Sequence, residues 1–247
     1  GIARMEDRYF QTNIIDFSET KHDESTYSIF GGSIVLEGST LNARQFATQG
    51  SREKMAAQIF TGTEHFRSGV SKVTKDTPEP YKKVQSWLQV SYQNETYHKV
   101  SPKFTLGAYL EAYYSSRNFS NNYTATLMQA GEFTPTAHSK VTYNEAFRAN
   151  QYAGVGSIPI YQLSESFQLR GEFYGFIPIF PIKKDEYGQA YYGKAFTKFE
   201  YLGEISLVFQ LSFGSISAYV NHYSSPSNDW NVGLTLGWQL FNSRFIE

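Results

Sequence analysis

The sequence predicts an all-β chain: an antiparallel transmembrane β-barrel contributing about ten to twelve strands. Three observations carry this. Between Tyr201 and Phe241, apolar side chains recur at every second position, as Tyr201, Ile205, Leu207, Phe209 and Leu211, then Ile216, Ala218 and Val220, then Trp230, Val232, Leu234, Leu236 and Trp238. The residues between them (Glu204, Ser206, Gln210, Ser217, Asn221, Asn231, Thr235) are mostly polar or small. Successive side chains of a strand point to opposite faces, so this pattern makes one greasy face and one wet face. The apolar stripes also run about ten residues and end in aromatics, which suits strands crossing a bilayer obliquely between two aromatic girdles.

Composition agrees with this class. Aromatic residues make up 17 % of the 247 residues, with 19 Tyr and 20 Phe, a ring content suited to interfacial girdles. A formal net charge of −1 gives no electrostatic footprint for nucleic acid. The absence of cysteine removes thiol chemistry and any disulfide framework. Mean hydropathy is −0.43, and no run approaches the ~18 apolar residues of a membrane helix. Low hydropathy is compatible with a barrel, because half of each strand faces a polar lumen. Gly1 to Arg8 is charged and lacks the apolar segment of a signal peptide, so the sequence reads as a mature form or the C-terminal piece of a longer barrel protein.

Taken in order, Tyr9 to Phe17 reads as a short strand and Tyr27 to Glu37 as the next, with Phe30, Gly32, Ile34 and Leu36 on one face. Gly38 to Arg52 is a turn-rich link. A strand then carries Met55, Ala57, Ile59 and Thr61 on one side; a helix over Ser51 to Gln58 is the weaker choice because Ile59 to Thr63 is β-leaning. Phe66 to Lys83, with Pro78 and Pro80, is a loop. Val84 to Tyr92 alternates, Gln93 to Pro102 is a polar connection, and Phe104, Leu106, Ala108, Leu110 and Ala112 mark the next strand. Ser115 to Asn150 is irregular, and Thr124 to Met128 reads as a short strand within it. Tyr152, Gly154, Gly156, Ile158 and Ile160 are read as an outward face. Phe167 to Ile179 follows, with Gln168, Arg170, Glu172 and Tyr174 inward, and Pro181 to Lys198 is a long polar loop. Long and short connections alternate, as between the extracellular loops and periplasmic turns of outer-membrane barrels.

The inward positions hold charges: Glu111, Arg170, Glu172 and Glu204. An Arg facing lipid at mid-depth costs roughly 2–4 kcal/mol, so these residues belong on the lumen side, where Arg170 pairs with Glu172 or Glu204. Ile205, Leu207, Phe209, Leu211, Leu234, Leu236 and Trp238 are the expected lipid-facing set. The implied partners are outer-membrane lipid and lipopolysaccharide, with a homo-oligomer or envelope complex as further associations, and no nucleic acid.

Little in the chain points to chemistry. His222 and Ser224 invite a barrel-embedded lipid hydrolase, since nucleophilic catalysis needs a base near a hydroxyl, but no oxyanion donor stands beside them in sequence. A Gly-x-Ser-x-Gly elbow is absent. His22, His65, His98, His138 and His222 lack metal-ligand spacing, and no cofactor motif is present. Asp76 with Glu79, and Asp185 with Glu186, read as solvated loop carboxylates.

Four stretches carry a resemblance: Thr40 to Arg52 (TLNARQFATQGSR), Asn122 to Thr126 (NYTAT), Phe147 to Asn150 (FRAN), and Tyr223 to Pro226 continuing to Leu240, Phe241 and Asn242. Together they resemble the C-terminal barrel of Bacteroidetes patatin-like phospholipase outer-membrane proteins, within the type V secretion and BamA-like barrel superfamily. That resemblance implies a barrel of sixteen strands in the bacterial outer membrane, preceded by a patatin hydrolase domain with a Ser-Asp dyad. Neither dyad residue matches a position in this sequence. The family reading therefore makes the chain an anchor or translocator of an attached lipid hydrolase, without a catalytic site of its own; the alternatives are the barrel-embedded hydrolase of His222 and Ser224, or a passive pore or structural subunit of an envelope complex.

Overall fold

The computed structural model describes residues 1–9, 22–69, 80–120, 122–225 and 230–238. Strand forms wherever apolar and polar residues alternate, because β-branched and aromatic side chains fit a half-buried pleated surface. In chain order the strands are β1 (Ile2–Tyr9), β2 (Asp23–Ser39), β3 (Gly50–Arg67), β4 (Tyr81–Lys99), β5 (Phe104–Ser115), β6 (Gly131–Glu132), β7 (Arg148–Ala149), β8 (Gln151–Gln162), β9 (Phe167–Pro178), β10 (Ile182–Lys184), β11 (Ala190–Tyr192), β12 (Glu200–Leu211), β13 (Gly214–Tyr223) and β14 (Trp230–Trp238). One helix, α1 (Tyr123–Gln129), and two 3-10 turns, Ser139–Val141 and Glu145–Phe147, lie between β5 and β8.

Ten strands make one antiparallel sheet in the order β1-β2-β3-β4-β5-β8-β9-β12-β13-β14. Each long strand pairs with the next long strand, an up-and-down meander. Among the described residues, β1 and β14 pair on one side only. None of the described helices is long and apolar enough to cross a membrane.

The two faces of the sheet differ in cover. Residues 40–49, 116–120 and 122–150 fold across one face and leave the other bare. On β12, Leu202, Glu204, Ser206 and Val208 are at most 2 % exposed, whereas Ile205, Leu207 and Phe209 on the opposite face are 39–48 % exposed. Leu234 and Leu236 on β14 are 81 % and 67 % exposed on that bare face. Phe30, Ile34, Leu36, Ile59, Leu110 and Phe173 extend the bare apolar surface across the sheet. Leu211 is half-buried, and the side chain of Trp238 lies outside the described residues.

Several expectations need correction. Thr124 to Met128 is helix rather than strand. The Asn122 side chain accepts from Ala125 N at 2.8 Å, an N-cap, and Arg148 Nη1 donates to the carbonyls of Leu127 and Met128 at 3.3 Å at the other end. Gln93 to Lys99, expected as part of a connection, continues β4, with Gln93 donating to the Tyr109 hydroxyl at 2.6 Å and Tyr97 to Glu95 on the covered face. Tyr152, Ile158 and Ile160, expected outward, are at most 3 % exposed on the covered face. Both parities of β8 are apolar, so periodicity could not orient it, and the covered face here holds an aromatic core. The Pro181 to Lys198 loop contains the β10–β11 hairpin. Most of the expected Tyr9 to Phe17 strand lies outside the described residues.

That core gathers around Phe133, whose ring packs against Tyr109, Tyr152, Tyr174, Phe147 and Phe176 with centroids 5.5 to 6.5 Å apart. Such edge-to-face and offset pairs add about 0.5–1.5 kcal/mol each beyond burial. Gly154 makes the approach possible: a Cβ there would stand 2.1 Å from the Phe133 ring.

Candidate functional site

The covered face is where side chains converge, at three points that fasten the inserted segments to the sheet. The first lies under the link 40–49. Gly50, at φ +89°, turns the chain into β3 where a Cβ would meet the Thr40 carbonyl oxygen at 2.1 Å. Asn42 closes the link on itself, its Oδ1 accepting from Thr48 N at 2.9 Å and Gln49 N at 3.1 Å. The link thus leaves its own hairpin and reaches β9, β12 and β13. Phe46 sits at φ +53°, a region that costs a bulky residue of order 1–3 kcal/mol. Gln168 and Gln210 hold it there, donating to the Phe46 carbonyl at 3.2 and 3.3 Å.

Arg170 is the centre of this point. It is 4 % exposed and donates to Glu172 Oε1 at 2.5 Å, to the Ala47 carbonyl at 2.9 Å and to the Tyr97 hydroxyl at 2.5 Å. Tyr174 donates to the second Glu172 oxygen at 2.8 Å. A buried guanidinium is tolerated when charge-assisted bonds of this kind use its planar fork.

At the second point the expected charge Glu204 pairs with a residue the sequence did not single out. His138, carried in by the long insert, places Nδ1 2.8 Å from Glu204 Oε1 and Nε2 2.6 Å from Thr235 Oγ1. Its ring stacks on Tyr219, centroids 3.4 Å apart. One histidine therefore touches β12, β13 and β14 at once. Asn221 donates to Glu204 Oε2 at 3.4 Å. Of the two partners expected for Arg170, the structure supplies Glu172, and Glu204 belongs to the histidine.

The third point holds the start of the insert over β2 and β4. The Arg117 guanidinium lies 5.1 Å from the Tyr27 ring centre and 4.5 Å from that of Trp87, and Nη1 donates to Gln129 at 2.7 Å. Burial pulls the Arg117 guanidinium down from its ordinary value, and Tyr27, Glu64 and Asp7 oppose that pull. Glu64 accepts from Tyr27 at 3.2 Å and Gln85 at 3.0 Å. Glu111, half-buried between these points, accepts from Tyr152 at 2.6 Å and from Tyr109.

His222 and Ser224 are not brought together. The Ser224 hydroxyl donates to Glu200 and accepts from Tyr201 N at 3.0 Å. The His222 ring instead lies between Tyr201 and Trp230 on the bare face, at centroid distances of 5.8 and 4.8 Å. Among the described residues, no group of three or more His, Asp or Glu side chains is arranged to hold a metal ion.

Sequence reasoning located Arg170, Glu172, Glu204 and Glu111 from parity alone. It missed His138 and Arg117, because nothing in an irregular insert shows which strand it will cross, and Tyr97, because Gln93 to Pro102 read as a connection rather than strand. Compared with protein-family models, curated proteins and solved structures, the chain shows no match.

Proposed function

We propose that this chain is the wall of an outer-membrane β-barrel that anchors, or translocates, an attached patatin-like lipid hydrolase. The observation that carries the membrane reading is a bare apolar face backed by one where buried charges sit among an aromatic core. Buried positions hold Arg170, Glu172, Glu204, Gln168 and Asn221, while exposed ones hold Ile34, Ile59, Leu207 and Leu234. Water disfavours so large a continuous apolar surface, whereas acyl chains favour it. The ten-stranded meander supplies the wall, and closure into a barrel satisfies the edges of β1 and β14. The inserts across the covered face support anchoring over a wide passive pore. The attached hydrolase rests on the family resemblance of Thr40 to Arg52 and the three further stretches.

Refolding into phospholipid vesicles tests the membrane reading. The chain should co-sediment with vesicles and resist extraction by urea. Recovery of folded chain in the supernatant would contradict it. The attached domain is tested on the natural coding sequence upstream of Gly1, where an in-frame Gly-x-Ser-x-Gly elbow is expected and a different domain would overturn that part.

A further inference from the structure

The arrangement at His138 has more chemistry than a fastening requires. Glu204 Oε1 lies 2.8 Å from Nδ1 and Thr235 Oγ1 lies 2.6 Å from Nε2, so a carboxylate, an imidazole and a hydroxyl stand in series. With Glu204 accepting at Nδ1, a neutral His138 has Nε2 left to accept from the threonine. The Tyr219 stack fixes the ring plane, and Asn221 holds the far carboxylate oxygen. Glu204 is 2 % exposed and His138 5 %, while Thr235 is half-buried.

A second, independent observation points to a ligand. Ser217 faces Thr235 directly across the β13–β14 register, on the same covered face. Its side chain is 1 % exposed, and its Oγ has no hydrogen-bond partner among the described residues. A buried hydroxyl without a partner costs stability. It is a free donor on the strand beside the hydroxyl–imidazole pair.

We infer that Thr235, His138, Glu204 and Ser217 form an acyl-transfer site that hydrolyses uncharged carboxylic esters. Thr235 Oγ1 adds to the ester carbonyl carbon while His138 Nε2 takes its proton. Ser217 Oγ donates to the carbonyl oxygen as it becomes negative. The bond from carbonyl carbon to alcohol oxygen breaks, and the alcohol leaves with the proton from Nε2. Water, deprotonated by the same nitrogen, then adds to the acyl-threonine, releasing the acid and restoring Thr235. Glu204 positions the ring and stabilises the imidazolium; its negative charge disfavours anionic substrates. This site is separate from the His222 and Ser224 pair, and from any domain attached upstream.

The test uses the 247-residue chain in vesicles with p-nitrophenyl butyrate as probe. The wild-type chain should release nitrophenol above buffer and carry a butyryl group on Thr235 in peptide mapping of a rapidly quenched sample. Thr235→Val and His138→Gln should each lose on the order of 10²-fold or more in kcat/KM. Ser217→Ala should lose on the order of 10²-fold in kcat. Thr235→Ser should retain turnover. Vesicle co-sedimentation of the same samples reads the membrane assignment separately. Should Thr235→Val fail to assemble, the wild-type adduct map and Thr235→Ser decide the matter. Wild-type turnover no faster than buffer, full activity in Thr235→Val, or an adduct on another residue would overturn the site and leave His138 as a fastening alone.

Discussion

β12 and β2 carry the same kind of sequence and meet different fates. Along β12, residues alternate buried and exposed from Glu200 to Phe209. Along β2 they alternate only near Asp23, Ser25 and Tyr27; from Ser33 to Ser39 both faces are open. A strand's period of two chooses which side chains share a face, but burial needs something laid over that face. The link 40–49 leaves the end of β2 and covers β9 and β12 instead, and Arg117 of the long insert reaches β2 at its other end, over Tyr27. Val35, Glu37 and Arg52 consequently lie on the face that is covered elsewhere but bare here, where Arg52 Nε donates to Glu37 at 2.8 Å.

This contrast can be broken most forcefully at its buried end. Arg170→Leu strands Glu172 and releases Ala47, which should cost about 3–5 kcal/mol, as for other broken buried pairs. Urea unfolding in vesicles, followed by tryptophan fluorescence, checks this; a loss near zero would mean that the link is not held by Arg170. Next in size is a paired substitution on β3, where both faces have room. Ile59→Arg puts a charge on the bare face and should cost about 2–4 kcal/mol, while Gln58→Arg on the other face should cost little. Equal costs in the same assay would erase the distinction between the faces. The smallest effect is expected at the open stretch: Arg52→Ala removes an exposed pair and should change stability by about 0–1 kcal/mol.

The strands were legible in the sequence because alternation reports burial on one side, and β9, β12 and β13 orient their side chains as that pattern requires. β8 was not, since Val155 on one face and Ile158 on the other are equally apolar. The helix α1 escaped because its seven residues are too few to show a helical period. Its ends are fixed by Asn122 and by Arg148, twenty residues downstream of Met128. Charges on regular strands could be placed by counting, so Arg170 and Glu204 stood out. Their partners Ala47 and His138 lie 123 and 66 residues away on inserts, and no local pattern encodes such contacts.

The central claim is that the bare face of the sheet meets acyl chains and the inward face meets water. The chain has no cysteine, so single cysteines at Ser33, Ile34, Val35 and Leu36, all exposed, can each carry an environment-sensitive fluorophore. In vesicles, labels at Ile34 and Leu36 should be quenched by brominated acyl chains, and labels at Ser33 and Val35 by aqueous iodide. Four labels that respond alike, or the reverse alternation, would contradict it.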